Sequence, residues 1–318
     1  MSGNSGSVKA VVFALGSNVL ITIIKFVVSV ITHSAGMLAE AIHSFADCGN
    51  QVFLLIGNKR SARKATDLHP FGYGKEEYFW GFLVAVLLFF VGAAFSIYEG
   101  VHKLFQPSVL QNISWSFIVL TISIVIEGKS FHVAYTTFSK TRGKTGMIKA
   151  LKDSTDTNLF VILLEDSAAL IGLTIVLVST ALAWFVHPVF DAIGSVLVGI
   201  LLITISLFMI NELRKLIVGE NISPELRKIF SDKVLSYPAI HRVNSISAMM
   251  IGKSRFLLVI GVDLEDNVLA SVVEDQFDKI RKELIKIHPD IHSVYFDVRD
   301  MERENGDIKM QRLEDGRV

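Results

Sequence analysis

An all-α polytopic membrane domain of six transmembrane helices, followed by a small C-terminal α+β domain, is the fold class this sequence predicts. Three observations predict it. The 318-residue chain is 51% hydrophobic and only 19% charged, with a mean hydropathy of +0.49, too apolar for an ordinary cytosolic enzyme. Six apolar stretches each reach the roughly 20 residues that a ~30 Å hydrocarbon core demands. Charge is sparse before residue 212 and dense after it, where the pattern turns into that of a water-soluble domain.

The first stretch covers 8–32, and "MSGNSGSVKA" leads straight into it without a small-residue cleavage signature. It therefore reads as a retained span rather than a signal peptide. The others cover 35–57, 77–106, 112–138, 159–186 and 189–217. The links "THSAG" and "VHPV" are short and nearly uncharged, and "QPSVLQN" is poor in basic residues. The links at 58–75 and 139–156 each carry several Lys or Arg. Basic links stay on the cytoplasmic side, which places both termini there too. A multi-pass protein results, in the cell inner (cytoplasmic) membrane if the source is bacterial.

Beyond Arg214, "SPELRKIFSDKVLSYP" (223–238) predicts a helix with Ser223 as N-cap and Pro224 at the first helical position. "RVNSISAMMIG" and "RFLLVIGVDL" predict strands joined by the turn "GKS", "VVEDQFDKIRKELIKIHP" an amphipathic helix, and "SVYFDVRD" a closing strand. That α-β-β-α-β order suits a two-layer domain. The boundaries are 1–217 for the transmembrane domain, 218–300 for the cytosolic domain and 301–318 for a polar tail that reads as disordered.

Several function classes are disfavoured. Lys and Arg number 31 against 31 Asp and Glu, so no bulk field attracts nucleic acid. A single cysteine, Cys48, excludes an internal disulfide framework and a multi-Cys zinc site. No nucleotide loop or catalytic triad stands out, which argues against an enzyme or a primary pump.

The second stretch holds "EAIHSFADCGN", residues 40–50. An ionised side chain at mid-bilayer costs at least ~2.5–3.5 kcal/mol on insertion scales, so Glu40, His43 and Asp47 must serve something or turn away from lipid. His43 and Asp47 are four residues apart, on one helix face and about 6 Å apart along the axis. Imidazole plus carboxylate is half of a tetrahedral zinc site; equally, the two could simply hydrogen-bond each other and a neighbouring helix. The fifth stretch embeds Glu165 and Asp166, followed by the small residues Ala168 and Ala169. Close packing of these two stretches would bring Asp166 to the His43/Asp47 pair. Acidic residues in two separate spans favour an ion pathway over two unrelated accidents.

Other polar residues carry blander readings. Lys25 would pair with an acid or snorkel to an interface. Asn18 and Asn50 would bridge helices or conduct protons. Glu40 would orient the His43 ring. Glu127 reads as structural or near the cytoplasmic mouth, Cys48 as packing, and His288 and His292 as surface residues.

On these residues the chain resembles the cation diffusion facilitator family (solute carrier family 30 type) of divalent-metal transporters. "KFVVSVITHSAGMLAEAIHSFADCGNQ" is similar to the family's first two spans, "HPFGYGKEE" to its loop before span three, and "FDAIGSVLVGILL" to span six. "EAIHSFADCGNQ", "ILLEDSAA" and the basic insert before span five place it nearest the zinc transporter 9-like branch. The resemblance implies a homodimer with a ferredoxin-like cytosolic domain, exporting Zn²⁺ or a similar ion in exchange for protons by alternating access. It implies no resident cofactor; the ion is cargo. The family holds that ion with paired HxxxD or DxxxD motifs on spans two and five. His43, Asp47 and Asp166 match three of these positions, and the fourth falls on Ile162. Glu165 or water would then complete the site, the alternative being that Glu165 pairs with a base such as Lys25. A loop site keeps His69 but has Tyr73 in place of a second histidine, and a regulatory pair in some relatives falls on Asn244, Ile260 and Phe296. The cytosolic domain is therefore expected to serve mainly as a dimer interface. A Lys75–Glu220 ion pair is expected to lock that domain to the bundle.

Two acids and one histidine also tolerate Mn²⁺, Fe²⁺ or Co²⁺. Two rival readings are a scaffold that kept the fold without transporting, which Ile162 supports, and a membrane metallohydrolase.

Overall fold

A computed structural model describes residues 4–106, 110–141, 157–253 and 255–299. The tail beyond 299 and most of the basic link 139–156 lie outside the described residues. Two compact units emerge, residues 1–63 with 76–214, and residues 64–75 with 215–318.

The first unit is helical. Its elements are α1 (Asn4–Thr32), α2 (Ala35–Ser61), α3 (Glu76–Phe105), α4 (Ile113–Thr141), α5 (Thr157–Phe185) and α6 (Val189–Val218), whose last residues belong to the second unit. The helices match the six predicted stretches within a few residues. Among the described residues, however, four are both long and apolar enough to cross a membrane: Glu76–Phe105, Ile113–Lys140, Leu159–Phe185 and Val189–Val218. α1 adds a shorter apolar stretch, Asn18–Thr32. α2 is not among them; polar residues such as Glu40, His43, Asp47, Asn50 and Gln51 interrupt its apolar run.

α2 is the hub and packs against α1, α3 and α5, while α4 lies along α5. Within α3 a π-helical turn spans Leu88–Ala94, a distortion common at functional sites. Just after it, the Ser195 hydroxyl of α6 donates to the Ser96 carbonyl at 2.8 Å. The start of α2 is fixed by Asp191, near the start of α6. Its carboxylate accepts from Ser34 Oγ (2.5 Å), Ala35 N (2.5 Å) and Gly36 N (3.3 Å). The two amides are donors a helix N-terminus leaves open, and negative charge there is also favoured by the helix dipole.

The second unit holds α7 (Pro224–Leu235), β1 (Ile240–Gly252), β2 (Arg255–Leu264), α8 (Ala270–Ile287) and β3 (Ile291–Val298). The predicted order is present. The sheet runs β1-β2-β3, antiparallel between β1 and β2 and parallel between β2 and β3. A parallel pair needs a crossover, and α8 supplies it. Ser223 caps α7 by accepting from Leu226 N at 3.2 Å, with Pro224 at its start. Phe230 and Val234 of α7, and Ile280 and Leu284 of α8, sit four residues apart and are fully buried. Each such side chain contributes about 1.5–3 kcal/mol. Central β2 buries Leu258, Ile260 and Val262 completely.

The segment 64–75 belongs to this second unit. A Cβ on Gly74 would lie 2.1 Å from the Ile251 carbonyl oxygen and 2.7 Å from Gly252 Cα, at the end of β1. Only glycine allows that approach. Lys75 Nζ donates to the Ile217 carbonyl at 3.3 Å. The expected partner, Glu220, is not engaged: among the described residues no ion pair joins the two, and Lys75 and Glu220 both lie in the second unit. Gly74→Ala should cost ~1–3 kcal/mol through overpacking against backbone. Faster amide exchange at 64–75 and 249–252 would register it; unchanged exchange would mean that the contact is dispensable.

Candidate ion-binding site

α2 presents Glu40, His43, Asp47 and Asn50 at spacings of three and four residues, a single helical face. Glu40 and Asn50 have no exposure and His43 has 1%. His43 Nδ1 lies 3.7 Å from Asp47 Oδ1, within ion-pair range but too far for a hydrogen bond. Both ring nitrogens of His43, and Asp47 Oδ1, are buried without a hydrogen-bond partner. Buried polar atoms are almost always paired, so three on adjacent turns form an exception that asks for a cause. Asp47 keeps some exposure, with a side chain 20% accessible.

The neighbouring helices divide the remaining polar groups. Lys25 of α1 reaches Glu40 Oε2 at 3.3 Å and donates to Ser44 Oγ at 2.7 Å. Glu40 is thus held by Lys25 rather than by the His43 ring, contrary to the expected second-layer role. From α5, Glu165 turns toward α2, where Asn50 Nδ2 donates to its Oε1 at 2.5 Å. Asp166 turns toward α4 and accepts from Ser130 Oγ at 2.8 Å. Adjacent residues on a helix point roughly 100° apart, so one of the pair had to face each neighbour. Ile162, one turn before Asp166, is 37% exposed. Among the described residues, no three His, Cys, Asp or Glu side chains gather closely enough to hold a metal ion.

Two further residues take part that their spacing in the sequence does not single out. Ser130 is an unremarked hydroxyl in an apolar helix, and nothing in its spacing advertises the bond to Asp166. Asp191 appeared only inside a longer matching stretch, although an N-cap such as Ser34 beside a second acceptor is a recognisable need.

Residues 11–218 match the cation efflux transmembrane domain. The chain belongs to the cation efflux family. Human SLC30A9, a mitochondrial proton-coupled zinc antiporter, is 31% identical over 287 residues, covering 89% of this chain and 50% of the relative. Metal tolerance protein C4 of Arabidopsis thaliana is 34% identical over 239 residues, 72% of this chain and 52% of that protein. The manganese efflux system protein MneP of Bacillus subtilis is 24% identical over 290 residues, 91% and 95% of the two chains. This chain spans about half the length of its SLC30A9 relatives. These relatives agree with the zinc transporter 9-like branch expected from the sequence. As a family member the chain carries a helical transmembrane domain.

The outlying family positions are occupied by packing groups. Tyr73 packs against His69 with the rings tilted by 32° and their centroids 4.3 Å apart. Ile260 is fully buried, Phe296 stacks on Phe277 at 3.9 Å, and Asn244 Nδ2 donates to the Arg299 carbonyl. His288 lies against the Phe256 ring, with Nδ1 3.9 Å from Asp290. His292 is exposed, and buried Cys48 touches Thr22 of α1 at 3.5 Å.

Proposed function

We propose that this chain is a proton-coupled antiporter of divalent metal cations, with Zn²⁺ the first candidate cargo and Mn²⁺, Fe²⁺ and Co²⁺ chemically compatible. One observation carries the reading: His43 and Asp47, side by side inside the bundle, keep both ring nitrogens and a carboxylate oxygen free of hydrogen bonds. The names of the relatives, a proton-coupled zinc antiporter and a manganese efflux protein, support it.

His43, Asp47 and Asp166 are the proposed ligands, with Glu165 or water in the position that Ile162 leaves empty of a donor. Asp166 exchanges its Ser130 contact for the ion when α5 moves on α2. Zn²⁺ requires neutral imidazole and ionised carboxylates, so binding it releases protons and acidification releases the ion. Histidine, with a reference pKa of ~6.5, is suited to that exchange near neutrality. Metal exit and proton uptake are thus joined without a nucleotide.

All six helices cross the bilayer in this reading. α1 has 29 residues and α2 has 27, and Glu40 and His43 of α2 are buried within the bundle. Both termini lie on the side of the two basic links. The second unit is ferredoxin-like and joins two copies into a homodimer; its α-β-β-α-β order and three-stranded sheet support this. Membrane identity follows the host, the cell membrane in a bacterium.

The test is Zn²⁺ flux into sealed proteoliposomes with and without a pH gradient. Gradient-dependent flux supports the reading. Absence of flux under every gradient favours the non-transporting scaffold, which gains from Asp166 being engaged by Ser130. His43→Asp should keep flux and move preference from Zn²⁺ toward Mn²⁺ by about tenfold, since an all-oxygen set suits the harder ion; a competition assay between the two metals reads it.

A further inference from the structure

Lys25 is 1% exposed, in the middle of the apolar stretch of α1. A lysine there is costly unless paired, and it is paired incompletely. Its ammonium, with three donors, meets Glu40 Oε2 and Ser44 Oγ. Glu40 Oε1 stays buried with no partner. That oxygen points at α5, where a Cβ on Gly172 would lie 3.0 Å from it. Gly172 therefore lets the carboxylate oxygen come close to α5, where a Cβ would crowd it. A buried ion pair kept for stability alone is often no better than an apolar pair of the same volume, and least so when half satisfied. The geometry suits a different role.

We propose that the Lys25 ammonium is a tethered cation filling a second cation position, formed by the Glu40 carboxylate, with its unpartnered Oε1, and the Ser44 hydroxyl. The donors are all oxygen, a set that suits hard divalent ions such as Mn²⁺. With Lys25 in place the charge of Glu40 is cancelled, and a metal ion finds open ligands only one turn along α2, at His43 and Asp47. The chain is in this way restricted to one ion per protomer. This restriction rests on the transporter reading above; the existence of the second position does not.

The experiment counts Mn²⁺ bound by the purified full chain in detergent, by equilibrium dialysis with Mn²⁺ alone. Lys25→Met removes the ammonium and keeps most of the stem. It should bind one Mn²⁺ per protomer more than the parent chain, and Lys25→Met with Glu40→Gln should return to the parent number. The difference between variant and parent tests the second position, while the parent number tests the proposed transport site. An equal count in folded Lys25→Met, or an extra ion that survives Glu40→Gln, overturns the proposal. If Lys25→Met fails to fold while the double variant folds, millimolar Mn²⁺ during purification should restore it. Failure of Mn²⁺ to do so overturns the proposal as well.

Discussion

Asp47→Ala removes proton-driven Zn²⁺ flux, to the level of empty liposomes, and leaves the fold intact. Both halves follow from the same geometry. Asp47 Oδ1 has no hydrogen-bond partner to lose, so truncation breaks no hydrogen bond of that oxygen and takes a carboxylate out of hydrocarbon. The ion, in contrast, loses the anionic ligand beside His43. Every ~1.4 kcal/mol of lost binding is a factor of ten, and a charge-assisted contact is worth about 1.5–3 kcal/mol even before metal coordination is considered. Flux in proteoliposomes, beside thermal unfolding of the same preparation, checks the claim. Retained flux with Asp47→Ala would remove this residue from the pathway.

The second large effect is on stability. Asp191→Ala leaves Ser34 Oγ and the amides of Ala35 and Gly36 without their shared acceptor, in a place where Asp191 itself is 2% exposed. Each buried donor left unpaired costs about 1–3 kcal/mol. The three are not independent, and a total of roughly 3–5 kcal/mol is expected, close to the cost of breaking a buried charged contact. Asp191→Asn keeps one acceptor oxygen and should recover part of the loss. Thermal unfolding in detergent reads both. A melting temperature unchanged in Asp191→Ala would mean that the start of α2 is held by something else. The consequence for function is indirect, because α2 carries His43 and Asp47 and any shift at its first turn displaces them.

The large outline was legible because it depends on properties that single residues carry. Apolar length set the helices of the first unit, and short polar links set their ends. Ser223 and Pro224 announced the start of α7, and alternating apolar residues announced β1 and β2. Contacts between helices were not legible in the same way. Spacing placed Glu165 and Asp166 about 100° apart on a helix, but only the packing shows that Glu165 meets Asn50 and Asp166 meets Ser130. Lys25 could have taken either Glu40 or Glu165, and chain distance does not decide between them. The π turn at Leu88–Ala94 has no signature in its own apolar sequence. Gly74 reads as an ordinary loop glycine until the backbone of Ile251 and Gly252 is seen beside it.

The central claim is that a metal ion and protons exchange across one buried site, and their joint movement tests it most directly. Sealed proteoliposomes would hold a pH dye and a Zn²⁺ dye, with no pH gradient at the start. On addition of Zn²⁺ outside, the account predicts that zinc enters while the interior becomes alkaline as protons leave. The Asp47→Ala protein should show neither signal. Zinc entering with the interior pH unchanged, or the same alkalinisation with Asp47→Ala, would contradict it.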